Sequence, residues 1–139
     1  ETQAATTIER LNYMDRLYAT NLANCQQNTI ITAHAAFGYL AERYNFNVMS
    51  IADLDPEQEP SSRQLAELST LAKSKSIKYI FFESLISPKL AETLAKEIGA
   101  ETLVINPIES LTNSEVDNQE NYFTIMEKNL GSLKLALEC

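Results

Sequence analysis

The residues of this chain best suited to chemistry are its single histidine, His34, and a few acids and amides whose positions in the pattern bring them near it. His34 follows the β-branched run Thr29-Ile30-Ile31-Thr32 and precedes the i, i+3, i+4 apolar spacing of Ala35 to Leu40. That order predicts strand, turn and helix, with His34 at the carboxyl end of the strand, where open α/β sheets bind ligands. Glu83 stands in the same relation to the run Ile77 to Phe82, Asp53 and Asp55 follow a second strand, and Asn106 follows a fourth. In a parallel sheet all carboxyl ends share one edge, so these groups converge although they are far apart in sequence. His34 and Glu83 are the sharpest pair, because each follows its strand immediately and, on neighbouring strands, they could meet at one cation. Imidazole with carboxylate is a mixed nitrogen and oxygen donor set suited to Zn²⁺ at about 2.0 to 2.2 Å. Two ligands leave a four-coordinate shell incomplete, so partners are needed from elsewhere.

Other readings of the same residues stay open. A histidine at a strand end can simply hydrogen-bond a neighbouring carbonyl, and a lone glutamate there can be a solvated loop acid. A hydrolase can be assembled with Ser84 as nucleophile, His34 as base and Asp53 or Glu83 as orienting carboxylate, but the Gly-x-Ser-x-Gly elbow that exposes such a serine is absent from the sequence. Nothing fixes the separation that a two-carboxylate hydrolase using Glu83 and Asp55 would require. The acidic loop Asp53 to Pro60 lacks the alternating spacing and glycine of an EF-hand and reads as solvated. Phe37, Tyr39, Phe81, Phe82 and Tyr122 lie on strand and helix patterns and read as core.

The elements that must position these groups alternate regularly. An opening helix carries Ala4, Ile8, Leu11, Tyr18 and Leu22 on one face. Strands are predicted at Thr29 to Thr32, Asn47 to Ile51, Ile77 to Phe82 and Thr102 to Ile105. Helices are predicted at Ala35 to Tyr44, at Ser62 to Lys75 behind a Ser61/Gln64 capping box, and from Pro88 to a Gly99 cap. A loop from Asn106 to about Asp117 leads to a final helix with the stripe Tyr122, Met126, Leu130, Leu133 and Leu137. Strands alternating with helices imply right-handed crossovers, hence an α/β fold: a four-stranded parallel sheet with helices on both faces.

A length of 139 residues suits one domain with one core, and 45% hydrophobic against 22% charged residues is a globular composition without a run long enough to span a membrane. A formal charge of -8 disfavours nonspecific binding to nucleic acid or an anionic membrane. Only three glycines occur, and no phosphate-cradling loop is among them. Cys25 and Cys139 have no Cys-x-x-Cys spacing, so they are either two buried thiols or one disulfide of an oxidising compartment. The opening helix starts at Glu1 without a cap, start methionine or signal peptide, which suggests a fragment.

The segments Thr32 to Ala41, Glu59-Pro60-Ser61, Tyr79 to Glu83, Asn106-Pro107 and Leu111-Thr112 together resemble the C-terminal lobe of the zinc/manganese-class solute-binding proteins of bacterial ABC importers. The resemblance covers essentially the whole chain in order and spacing. It implies that residues 1–24 are the later part of a long helix linking two lobes and that 25–139 form the second lobe. It further implies that His34 and Glu83 are that lobe's two metal ligands. The implied activity is capture of extracytoplasmic metal and its delivery to an ABC permease, without catalysis. The remaining ligands, usually two histidines, would come from an N-terminal lobe that this chain does not contain. Implied localisation is periplasmic or otherwise extracytoplasmic, with a lipid anchor compatible. Histidine in the Ala-Phe-Gly-Tyr motif resembles zinc-type members, whereas manganese-type members tend to carry a carboxylate there, and imidazole favours Zn²⁺ over Mn²⁺. Ser110 departs from the pattern, standing where similar proteins often have glycine. An adhesin-like interaction domain is the alternative from a different class.

Overall fold

Four short runs rich in β-branched and aromatic residues pair into one parallel sheet in the computed structural model, which describes residues 2–52 and 61–139. They are β1 (Thr29–Thr32), β2 (Asn47–Ser50), β3 (Tyr79–Glu83) and β4 (Glu101–Ile105), in the spatial order β2-β1-β3-β4. Their helices are α1 (Thr2–Asn21), α2 (Gly38–Tyr44), α3 (Ser62–Ser74), α4 (Lys89–Ile98), α5 (Asn113–Asp117) and α6 (Tyr122–Leu137). The order leaves β1 and β3 in the centre, which explains why even Thr29 and Thr32 of β1 are buried.

Side chains alternate across each strand and so divide the core in two. Ile30, Phe81 and Ile105 face Met14 and Tyr18 of α1, Ala41 of α2, and Leu130, Leu133 and Leu137 of α6. Ile31 and Ile80 face Ala72 of α3 and Ala91, Leu94 and Ala95 of α4. Helices therefore cover both faces, as expected. Two of the predicted caps form: Ser61 and Gln64 make a reciprocal capping box, and Gly99 closes α4 in the left-handed region at φ 74°; at its other end α4 starts at Lys89, with Pro88 as an N-cap that makes no side-chain bond, one residue later than predicted.

Several boundaries differ from the sequence reading for identifiable reasons. α2 starts at Gly38 instead of Ala35, because the Thr32 hydroxyl (2.8 Å) and the Ala36 N–H (3.0 Å) both donate to the His34 carbonyl and hold the segment in a turn. Within the predicted loop after β4, a Thr112/Glu115 capping box starts the short helix α5. Ile8 and Leu11 of the opening stripe are exposed, since α1 packs on the sheet only from Met14 onward. Tyr39 and Tyr122 are exposed too, whereas Phe37 and Phe81 are in the core. Cys25 and Cys139 form a disulfide joining the segment after α1 to the end of α6. No helix among the described residues is long and apolar enough to cross a membrane.

The attachment of α1 is polar as well as apolar. Asp15 accepts two hydrogen bonds from Arg43 (3.0 and 2.8 Å) and one from the Tyr44 hydroxyl (3.0 Å). Tyr18 lies against the Tyr44 ring, with centroids 5.0 Å apart, and donates its hydroxyl to the Met126 carbonyl at 2.6 Å. Burial pushes the Tyr44 phenol up to about 12, and the Asp15 carboxylate beside it acts in the same direction.

Candidate metal centre

Strand register is what brings the candidate ligands together. Ile31 of β1 pairs with Ile80 of β3 and Thr32 with Phe81, so two residues further along each strand His34 and Glu83 fall level. Glu83 is itself the last residue of β3, paired with Ile105 of β4, rather than the first residue beyond it. On the other flank, Ile51 N–H donates to the Thr32 carbonyl and Ala52 N–H to the Ala33 carbonyl, each at 2.9 Å, extending the β1–β2 ladder to the threshold of His34. His34 therefore hangs from a backbone fixed on both sides, by β3 and by the residues that follow β2.

His34 Nδ1 lies 3.0 Å from Glu83 Oε1, and the two residues are only 7% and 1% exposed. The atoms are within ion-pair distance, yet their orientation does not make a hydrogen bond. Judged by angle as well as distance, neither Nδ1 nor either Glu83 oxygen has a well-formed hydrogen bond among the described residues, although the imidazole and the His34 and Glu83 backbone N–H groups lie on the side that favours the ionised carboxylate. Buried polar atoms are nearly always satisfied, which makes these three, side by side at the sheet edge, the candidate site of the described residues. The spacing fits a shared cation, since two ligands of one tetrahedral zinc at about 2.0 to 2.1 Å stand about 3.3 Å apart. Burial raises the Glu83 carboxyl above the usual carboxylate range, and the imidazole beside it opposes that rise. A divalent cation held beside it would favour the ionised carboxylate.

The other candidates separate from this pair. Asn106 is not free to join it: its side chain donates to Glu115 at 2.9 Å and accepts from the Ile108 N–H at 2.7 Å. Its backbone is held reciprocally by Asn129, which accepts from the Asn106 N–H at 2.9 Å and donates to its carbonyl at 2.7 Å. The sequence signal for this role was Asn129 itself, a polar residue inside the apolar stripe of α6. Ser84 Oγ is buried without a hydrogen-bond partner among the described residues, so the serine-to-histidine hydrogen bond that the hydrolase arrangement needs is not formed there. Asp53 and Asp55 lie outside the described residues. Among the described residues no group of three or more His, Cys, Asp or Glu side chains could hold a metal, so the His34–Glu83 pair alone offers no complete shell.

Comparison with known proteins gives this geometry a context. Residues 1–136 match the family model described as the periplasmic component A of zinc-uptake complexes. The chain is 46% identical over 134 residues to the zinc-binding lipoprotein AdcA of Streptococcus pneumoniae, a match covering 96% of this chain and 27% of that protein. It is 45% identical over 130 residues to the high-affinity zinc uptake system protein ZnuA of Bacillus subtilis, covering 94% of this chain and 41% of that one. The crystal structure of the Zn(II)-bound ZnuA-like domain of Streptococcus pneumoniae AdcA superposes with a TM-score of 0.83 at 45% identity, over 100% of this chain and 52% of that one. The chain thus spans between about a quarter and about half of the proteins it matches. With the fold, the whole-length match and the paired strand ends in agreement, the chain belongs to the family of periplasmic component A proteins of zinc-uptake complexes.

Proposed function

We propose that this chain is the second lobe of an extracytoplasmic solute-binding protein that captures Zn²⁺, with His34 and Glu83 as the ligands the lobe contributes. The observation that carries the reading is the buried pair itself, 3.0 Å apart, with its donor atoms unpartnered among the described residues. Unpartnered donors held by strand backbone need no reorganisation when a cation arrives, and the cation relieves the cost of leaving them buried and unbonded. His34 binds through an imidazole nitrogen and Glu83 through its carboxylate. Imidazole in this donor set favours Zn²⁺ over Mn²⁺.

Residues 1–24 act as the later part of a helix linking this lobe, residues 25–139, to an N-terminal lobe that completes the coordination shell. The pair performs no reaction: the protein holds zinc as cargo and hands it to an ABC permease. Support comes from the zinc-binding relatives named above, one of them a lipoprotein, which also fits an extracytoplasmic location.

Calorimetric titration of the 139-residue chain with Zn²⁺ tests the assignment. Half a shell lacks the geometry of a tight site, so weak binding is expected, abolished by either His34→Ala or Glu83→Ala. Submicromolar zinc affinity that survives both substitutions overturns it.

A further inference from the structure

The Cys25–Cys139 disulfide lies at the edge of the sheet opposite the metal pair, since Cys25 precedes the amino end of β1 and His34 follows its carboxyl end. Cys139 is exposed and Cys25 half-buried, so the bridge is open to approach from the Cys139 side. Beside it the two segments are bonded independently of the sulfurs: the Gln26 N–H donates to the Glu138 carbonyl at 3.2 Å and the Gln27 N–H to the Leu137 carbonyl at 2.9 Å. Lys134 of α6 donates to the Asn21 side chain at 2.8 Å, and Lys78 pairs with Glu138 at 2.6 Å. Breaking the S–S bond therefore leaves both cysteines side by side in a chain that is still fastened. We infer that Cys25–Cys139 is a thiol–disulfide exchange site that opens in the folded protein, and that its partner is a dithiol.

The preference for a dithiol follows from those backbone bonds. A partner thiolate attacks the exposed Cys139 sulfur, the S–S bond breaks, and its electron pair leaves with Cys25, which takes up a proton. Cys139 is then joined to the partner in a mixed disulfide. Because Gln26 and Gln27 hold Cys25 next to it, Cys25 attacks back and expels a partner that has only one thiol. A dithiol brings a second thiol of its own, which attacks the partner sulfur of the mixed disulfide, frees Cys139 as a thiol and leaves the partner oxidised to its disulfide. Two electrons and two protons pass from the partner to the chain. The long loop that the bridge closes acts in the same direction, since a cross-link that stabilises the fold resists a weakly reducing monothiol pool. Reduction thereby lowers the stability of the fold from the α1–β1 junction while His34 and Glu83, at the far edge, keep their places. The inference does not rest on the metal-site reading.

The experiment incubates the metal-free full-length protein in native buffer with dithiothreitol or, at equal total thiol concentration, with 2-mercaptoethanol, then alkylates and follows Cys25 and Cys139 by peptide mass mapping. Dithiothreitol is expected to open the bridge at a rate unchanged by urea below the unfolding transition. Its advantage over the monothiol is expected to exceed by about tenfold its advantage on oxidised glutathione, where nothing holds the leaving thiol in place. The opened protein is expected to keep its far-ultraviolet circular dichroism and to close again in oxidised dithiothreitol. A bridge that stays shut until the protein unfolds, or an opening rate that climbs exponentially from the lowest urea concentrations as global unfolding does, marks a purely structural cross-link and overturns the inference. Loss of the circular dichroism signal on opening, or a reagent preference equal to that on oxidised glutathione, overturns it as well.

Discussion

Thr32 of β1 and Phe81 of β3 are register partners in the centre of the sheet, and this pairing sets His34 and Glu83 level two residues later. Thr32 also donates its hydroxyl to the His34 carbonyl at 2.8 Å, so one residue both fixes the register and shapes the turn that presents the imidazole. The consequence is a pair of buried donors whose energetic cost is carried by the fold.

That cost should be measurable without metal. Replacing Glu83 by methionine, which is flexible and of similar length, removes an unpartnered buried carboxyl. Glu83→Met is expected to raise the metal-free unfolding free energy by about 1 to 3 kcal/mol while weakening zinc binding. Urea denaturation with and without Zn²⁺ reads both changes, and a loss of metal-free stability would contradict the account.

The disulfide closes a loop of sequence separation 114 between Cys25 and Cys139. The loop-entropy treatment assigns such a cross-link about 5 kcal/mol. Cys25→Ser/Cys139→Ser, or reduction by a small thiol, is expected to lower the denaturation midpoint by a corresponding amount. A midpoint unmoved by reductant would show that the bridge contributes nothing to the folded state.

Asn129 serves as a buried clamp on the end of β4, bonding both the N–H and the carbonyl of Asn106. Truncation leaves both backbone groups without that partner. Asn129→Ala is expected to cost about 2 to 4 kcal/mol, read from chemical denaturation. An effect within about 0.5 kcal/mol, as at an ordinary surface position, would mean that other groups replace the amide.

Glu115 reports on the same corner through pH. Its carboxylate accepts from the Thr112 N–H at 2.7 Å and from the Asn106 amide at 2.9 Å, and the Thr112 backbone is the chief reason that its pKa lies below the ordinary value of 4.5. A group whose folded pKa is depressed contributes stability that is present above its unfolded pKa and lost as pH falls through the folded one. Glu115→Gln should therefore lose less stability than the parent on acidification below about pH 5, the two converging at low pH. Parallel stability curves for the two proteins from pH 7 to pH 3 would exclude this contribution.

Local signals in the sequence carried a large part of this structure. The alternation of strands and helices, the capping box at Ser61 and Gln64 and the Gly99 cap depend on neighbours within a few residues, where periodicity and capping chemistry act directly. The start of α5 was legible in the same way, because Thr112-x-x-Glu115 is a capping box in sequence as well as in space. Placing His34 and Glu83 at strand ends followed from the same reasoning. The amphipathic stripe of α1 misled for its first half, since a pattern of apolar residues cannot say where the surface they pack against ends.

By itself the sequence determined which residues reach the carboxyl edge of a parallel sheet, since strand direction and side-chain period are local properties of the backbone. Only the tertiary structure decided which of them meet. The order β2-β1-β3-β4 makes β1 and β3 neighbours, brings His34 to Glu83, draws Asn106 away to Asn129 and Glu115, and joins Cys25 to Cys139. Those outcomes rest on packing between segments distant along the chain, where burial of both sheet faces at once selects the strand order that no local pattern encodes.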